Sequence, residues 1–272
     1  MIDLHIHTTA SDGIYSPKEI VSKAKTMGLQ TIAITDHDTV SGLKEAMQAA
    51  KLYQIEVIPG VEISTDFTDG LAHVLGYFID YENKKFTACL EKMKIERQDR
   101  AQAILRKLQK LNINIAFEKV AEIAGDATIG RPHVAAAMVE MGFVPDMVTA
   151  FDLYLAEGRP AYADRLKITP REACQAIRQA GGIAVLAHPF TVRNYQALIA
   201  NLRPFLSGIE TYYGEFNEEQ KKELLHFSCK YQLIPTGGSD FHGEDRAGAP
   251  LGVGGAPDYI VNLLKKASRG NR

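Results

Sequence analysis

Seven short apolar runs punctuate the chain, and between most of them the spacing of apolar positions switches to the helical period. Ile2–His7, Thr31–Thr35, Ile55–Ser64, Leu71–Ile79, Ile183–Ala187, Gly208–Tyr213 and Leu233–Thr236 read as strands. Ser16-Pro17-Lys18-Glu19 and Thr169-Pro170-Arg171-Glu172 each place an N-cap residue before a proline at the first helical position. The helices that begin there stop at Gly28 and at Gly181-Gly182, and a buried-type strand follows at once in both cases. Repetition of such strand and helix units predicts a parallel sheet or a barrel.

The rhythm breaks between residues 83 and 164. A long charged helix over Lys84–Leu111 and several amphipathic segments occupy this stretch, without a convincing strand. The expected organisation is a barrel built from residues 1–82 and 165–272, interrupted by a helical insertion over 83–164. A length of 272 residues suits one large domain with such an insertion.

Composition narrows the function classes. With 46% hydrophobic and 24% charged residues, the chain can build a globular core and disorder is excluded. The net charge of −2 gives no global positive field, so a long nucleic acid or an anionic membrane is not an expected partner and any anion must be held locally. Cys89, Cys174 and Cys229 are far apart and odd in number, which fits reduced thiols and a cytoplasmic location. The opening segment MIDLHIHTTASDG lacks the pattern of an export leader, and no apolar run approaches the length of a membrane span.

The chemistry is concentrated at strand ends. Asp3, His5 and His7 recur at period two in the first run and so share one face of a strand. The second run ends in Thr35-Asp36-His37-Asp38, the third in Gly60-Val61-Glu62, the fifth in Ala187-His188-Pro189, and the seventh leads to Ser239-Asp240-Phe241-His242. In a βα barrel these ends meet on one rim, where Asp12 of the first loop can join them. One strand-end histidine is more often an ordinary hydrogen-bonding residue than a ligand; five such ends together point to a multinuclear transition-metal site, since imidazoles mixed with carboxylates suit Mn, Fe or Zn.

These motifs resemble those of PHP (polymerase and histidinol phosphatase) domains, over the whole chain. Gly130-Arg131-Pro132-His133 in the insertion, Tyr154–Gly158 and Ala180–Pro189 are most similar to the group containing nucleoside 3',5'-bisphosphate phosphatases and short-RNA 5' exonucleases. The resemblance implies a distorted (β/α)7 barrel with two or three divalent transition-metal ions. Transferred position by position, it implies one ion held by His5, His7, Glu62 and Asp240, another by Asp12, His37 and His242, and a third by His188 and His73, with Glu62 bridging. His73 begins its run instead of ending it, so this role requires its strand to run differently from its neighbours; His133 competes for it.

Phosphate chemistry follows from the charges. Three divalent ions bring six positive charges, and Asp12, Glu62, Asp240 and a bridging hydroxide cancel four of them, leaving about two to meet a phosphate dianion. Water on such ions titrates near pH ~7, so a metal-bound hydroxide is the expected nucleophile. Asp36 and Asp38 are expected to orient His37 or His7 from behind or, less favoured, to donate a proton. Arg131 and His133, around Pro132 at a helix start, are expected to hold a second phosphate, with Arg97 and Arg100 as further basic contacts; a solvated surface is the plainer reading of all four. Tyr212 and Tyr213 either stack on a base or fill the core. The expected activity is that of a monomeric, metal-dependent phosphoesterase acting on a small phosphorylated nucleotide. A histidinol-phosphate-type phosphatase and a non-catalytic PHP module are the alternatives.

Overall fold

A computed structural model describes residues 1–67, 70–125, 129–163, 168–244 and 248–270. The chain forms two compact units, Met1–Cys89 with Lys167–Arg272, and Leu90–Leu166.

The first unit is a seven-stranded sheet in the order β1 to β7, nearly closed on itself. Its strands are β1 (Ile2–Ile6), β2 (Thr31–Ile34), β3 (Glu56–Phe67), β4 (Gly70–Tyr77), β5 (Ile183–Leu186), β6 (Gly208–Tyr213) and β7 (Ile234–Gly238). All neighbours pair in parallel except β4, which is antiparallel to both β3 and β5. The purely parallel arrangement suggested by the strand and helix rhythm is therefore corrected at one strand. The reason is local: only two residues separate β3 from β4, whereas a parallel return needs a crossover of about a dozen or more. Reversal of β4 puts the beginning of that strand, with His73 opposite Ser64, on the same rim as the ends of its neighbours.

Helices α1 (Pro17–Thr26), α2 (Leu43–Tyr53), α7 (Pro170–Gln179), α8 (Tyr195–Leu202), α9 (Glu218–Tyr231) and α10 (Tyr259–Arg269) belong to this unit. Ser16 and Thr169 cap α1 and α7 in reciprocal capping boxes with Glu19 and Glu172, so two otherwise orphaned donors are satisfied at each start. Ile2, Leu4, Ile58, Leu75, Tyr77, Ile183 and Val185 pack with Ile260 and Leu264 of α10 into one core.

Closure of the sheet is made by the end of β7 against β1. The Asp240 amide donates to the His5 carbonyl at 2.9 Å and the His7 amide to the Phe241 carbonyl at 3.0 Å. Gly238 makes this possible, because a Cβ there would lie 2.4 Å from both the backbone nitrogen and the Cβ of His5. Buried Asp3 fixes the same junction, accepting from the Ser239 amide at 3.0 Å, the Ser239 hydroxyl at 2.6 Å and the Gly252 amide at 2.8 Å.

The second unit is helical among its described residues. α3 (Lys84–Gln109) enters it, followed by α4 (Phe117–Ala124), α5 (Arg131–Glu140) and α6 (Met147–Ala150), which continues into a wider π turn at Phe151–Leu155. Its own core contains Ile104, Leu108, Val120, Val134, Met138, Ala150 and Leu155, so the segment has an apolar interior separate from that of the sheet.

Candidate metal centre

Glu62 of β3 is the hub of the rim. Its side chain is 1% exposed, and each of its oxygens faces a different set of imidazoles. Oε2 lies 3.2 Å from His5 Nε2, 3.2 Å from His7 Nε2 and 3.0 Å from His37 Nδ1. Oε1 lies 2.9 Å from His73 Nδ1 and 3.0 Å from His188 Nε2. Asp240 reaches the same two imidazoles, with Oδ1 at 3.1 Å from His5 Nε2 and 3.0 Å from His7 Nε2. Asp12 completes the cluster: its Oδ1 is 3.3 Å from His242 Nε2 and its Oδ2 is 4.0 Å from His37 Nε2.

All nine residues expected as ligands therefore lie together in the first unit. They fall into three groups of mutually close donor atoms: His5, His7, Glu62 and Asp240; His7, Asp12, His37 and His242; and His37, Glu62 and His73. His188 reaches the third group through Glu62 Oε1. Among the described residues His73 sits in such a group and His133 does not. His133 Nδ1 instead accepts the Gly130 amide at 3.0 Å, at the start of α5.

The donor geometry fits divalent ions. Nitrogen and oxygen atoms sharing an ion at about 2.0–2.2 Å stand about 2.8–3.6 Å apart, depending on the angle between them. The 3.0–3.2 Å separations around His5, His7, Glu62 and Asp240 fall within that range. Moreover, His5 Nε2, His7 Nε2, His37 Nδ1, Asp12 Oδ1, Glu62 Oε2 and Asp240 Oδ1 are all buried and none makes a hydrogen bond of good geometry, although they crowd together. Buried polar atoms are normally paired, and lone pairs that converge without pairing are suited to a cation.

Electrostatics point the same way. Burial favours the neutral carboxyl, yet the surrounding imidazoles hold Asp12, Glu62 and Asp240 well below the usual carboxylate range. Burial likewise opposes a charged imidazole, but the carboxylates outweigh it: Asp240, Glu210 and Glu62 raise His5 well above its ordinary value, and Asp240 and Glu62 carry His7 up to about 10. His37 goes the other way, pushed down to about 3 by burial and by the neighbouring His7 and His73. In the metal-free chain, protons supply part of the positive charge that three buried carboxylates demand.

A surrounding layer fixes the imidazoles. Glu210 of β6, fully buried, stands 2.9 Å from His5 Nδ1 and takes the His188 backbone amide at 2.8 Å on its other oxygen. His5 is thereby held with Nε2 toward Glu62 and Asp240. Asp36 accepts from the Thr8 amide and hydroxyl and from the Ser11 hydroxyl, and Ser11 Oγ lies 3.5 Å from His7 Nδ1, so Asp36 acts on His7 through the loop after β1. Asp38 Oδ1 accepts the Ser64 amide at 2.8 Å and holds the rim of β3. Thr191 Oγ1 contacts His188 Nδ1 at 3.2 Å, and the Asp240 carbonyl contacts His242 Nδ1 at 2.7 Å. Asp38, His188 and Asp240 have positive φ values of 52, 21 and 55°, strained backbone concentrated at this rim.

Two supporting residues escaped the strand-end reading. Glu210 lies inside a strand, and its signal is a lone carboxylate in the run Gly208–Tyr213, since acids are almost never fully buried unless paired. Tyr213 is the second. Its hydroxyl donates to Asp240 Oδ2 at 3.0 Å and its ring meets His188 edge to face at 5.7 Å, so it is neither a free stacking surface nor inert filling. Tyr212 points to the opposite face of β6 and packs against the core beneath α10.

The four cationic candidates of the insertion lie together within the second unit. Arg131 and Arg100 approach the ring of Tyr162 at 5.8 and 5.4 Å, Arg131 also covers Phe151 at 5.6 Å, and a Cβ on Gly130 would stand 3.4 Å from Arg97 Nη1. All four are half-buried rather than splayed into solvent: Arg100 Nε donates to the Ala163 carbonyl at 2.7 Å and Arg131 to the Leu155 carbonyl at 3.3 Å.

The chain is similar to known proteins over most of its length. The PHP domain family profile matches residues 3–123. A 5'-3' exoribonuclease of Haemophilus influenzae is 36% identical over 245 residues, covering 88% of this chain and 89% of that protein. A 3',5'-nucleoside bisphosphate phosphatase of Chromobacterium violaceum is 32% identical over 257 residues, covering 92% and 90%. The crystal structure described as a putative metal-dependent phosphoesterase of Bifidobacterium adolescentis superimposes with a TM-score of 0.87 at 28% identity, over 97% of this chain and 94% of that one. Fold and site together define a hydrolase of the metal-dependent phosphoesterase class. The chain belongs to the PHP domain family.

Proposed function

We propose that the chain hydrolyses a phosphate monoester of a small nucleotide, a nucleoside 3',5'-bisphosphate, and also trims short RNA from the 5' end, with two or three Mn, Fe or Zn ions held by the nine rim residues. The observation that carries this reading is Glu62, whose two buried oxygens face different sets of imidazoles, His7 and His37 on one and His73 and His188 on the other, a geometry suited to a carboxylate shared between ions. The names of the Haemophilus and Chromobacterium relatives support the substrate class.

Divalent ions bound there supply Lewis acidity, acidifying a water and balancing phosphate charge. The chain's residues do the rest. Asp12, Glu62 and Asp240 contribute three negative charges, so with three divalent ions and a hydroxide the rim would keep about two positive charges for a phosphate although the protein is net negative. Glu210 and Ser11, with Asp36 behind it, hold His5 and His7 in orientation, which spares reorganisation during reaction. Asp36 and Asp38 are buried with their oxygens engaged by backbone and hydroxyl donors, which supports positioning over proton donation. Arg131 and His133, with Arg97 and Arg100 as companions, hold a second phosphate, and this contact sets bisphosphates apart from monophosphates. Of the described helices none is long and apolar enough to cross a membrane.

The test is phosphate release from a nucleoside 3',5'-bisphosphate, a matched monophosphate and histidinol phosphate, after loading with Mn. Preference for the bisphosphate is expected; preference for the amino alcohol phosphate overturns the substrate assignment.

A further inference from the structure

With Tyr213 committed to Asp240 and Tyr212 turned to the core, Phe190 and Phe216 stand beside the rim without a part in metal binding. Phe190 follows β5 directly after His188-Pro189, and Phe216 follows β6 three residues after Tyr213. Both are half-buried. They stand in edge-to-face contact at 5.0 Å, and Phe216 is joined through Tyr213 to the metal rim by ring contacts of 4.8 and 5.7 Å, the latter to His188.

Both carriers are rigid. Phe190 sits in a single 3-10 turn, closed by the Thr191 amide on the His188 carbonyl at 3.1 Å and the Val192 amide on the Pro189 carbonyl at 3.1 Å. Phe216 sits in a turn closed by its own amide on the Tyr213 carbonyl at 3.0 Å and anchored by the Gly214 amide on the Gly238 carbonyl, also at 3.0 Å. A Cβ on Gly214 would come within 2.3 Å of the Ala249 Cβ, so this turn packs closely against Ala249. Behind Phe190 stands buried Tyr195, with ring centroids 4.7 Å apart. Half-buried aromatic rings on hydrogen-bonded turns, joined to the metal rim through two ring contacts, offer what a nucleobase needs: an apolar face beside the centre proposed to bind the phosphate.

We propose that Phe216, braced by Phe190, is the stacking surface for the nucleobase of the substrate. This deepens the phosphoesterase reading and rests on it. Stacking is tolerant of base identity because every base has a π-face, so the site is expected to distinguish nucleotides from sugar phosphates and to discriminate poorly among bases.

The test has two arms. In the first, Phe216→Leu and Phe190→Leu are compared with wild type on a nucleoside 3',5'-bisphosphate and on the same ribose bisphosphate lacking its base. Leucine keeps apolar bulk and removes the π-face. The Phe216→Leu specificity constant should fall roughly fivefold to a hundredfold on the nucleoside and stay within about twofold on the baseless sugar. Equal losses on both substrates, or none on either, overturn the proposal. The second arm needs no turnover. The chain contains no tryptophan, so Phe216→Trp introduces a single indole. Its fluorescence should be quenched by the nucleoside bisphosphate and not by the baseless sugar bisphosphate; identical responses, or no response, overturn stacking. If wild type releases no phosphate while quenching is base-specific, the phosphoesterase reading falls and the base site stands. Hydrolysis without base-specific quenching overturns the base site and leaves the phosphoesterase reading standing.

Discussion

Replacement of Glu210 by glutamine probes how the rim holds its histidines without touching any proposed ligand. The carboxylate serves two donors at once, His5 Nδ1 at 2.9 Å and the His188 backbone amide at 2.8 Å. An amide of the same shape has one acceptor oxygen, so Glu210→Gln can satisfy only one of them. If the amide oxygen keeps the His188 contact, its NH2 group faces His5 Nδ1; His5 must then carry its proton on Nε2, the atom turned toward Glu62 and Asp240, and loses the lone pair needed there. If the oxygen turns to His5 instead, the backbone of the His188 turn is left with a buried donor facing a donor, at a cost of about 1–3 kcal/mol. Either outcome disturbs one of the two histidines that Glu210 holds, His5 through its ring or His188 through its backbone. Loss of an orienting partner of a metal-bound histidine typically costs about 10- to 100-fold in metal affinity or activity, equivalent to about 1.4–2.8 kcal/mol. The assay is a competitive Mn or Zn titration against a chelator, with melting temperatures of the metal-free proteins as a control for folding. Affinity within twofold of wild type, in a variant that folds normally, would refute the claim that Glu210 sets the His5 tautomer.

Glu62→Ala and Asp240→Ala should each abolish phosphate release and reduce bound metal by at least one ion per chain, read by elemental analysis; near-normal turnover with added Mn would remove these residues from the centre. Metal uptake should release protons near pH 7, because the carboxylates of Asp240 and Glu62 hold His7 up to about 10 in the metal-free chain, and calorimetry in buffers of different ionisation enthalpy reads that release. His7 therefore contributes stability to the metal-free protein that is fully present below its ordinary value near pH 6.5 and lost as pH rises through about 10, while metal affinity weakens as pH falls. Arg131→Ala should lower the specificity constant for a nucleoside 3',5'-bisphosphate roughly tenfold to a hundredfold more than for a matched monophosphate, since only the former offers a second group to the guanidinium. Gly238→Ala should part β7 from β1 and lower both melting temperature and metal content, because its Cβ has no space beside His5.

Much of the barrel was legible because its strands are short apolar runs bounded by helix caps and glycine stops, signals that depend on neighbouring residues alone. His188 and the others at strand ends could be placed on one rim from the residue pattern, since parallel strands deliver their ends to one side, whereas Glu62 lies within β3, which runs on to Phe67 in its pairing with β4. The antiparallel course of β4 was harder to see, although the six residues between Ser64 and Leu71 are too few for a crossover, and it decides the place of His73. Glu210 was hidden for a different reason. Its importance lies in a contact 205 positions away in sequence, with His5, and no local pattern marks such a partner. The role of Tyr213 is similarly non-local: neighbouring tyrosines on one strand face opposite sides, and only the arrival of Asp240 beside β6 separates them.

The central claim is that Glu62 joins divalent ions into one phosphate-cleaving centre. Its most direct measurement is elemental analysis of the purified chain, paired with phosphate release from a nucleoside 3',5'-bisphosphate, in wild type and in Glu62→Ala. Two or three transition-metal ions per wild-type chain are expected, with fewer in the variant and phosphate release in the wild type alone. Wild-type protein that binds no transition metal when supplied with Mn, Fe or Zn, or a Glu62→Ala variant that keeps full metal content and activity, would contradict it.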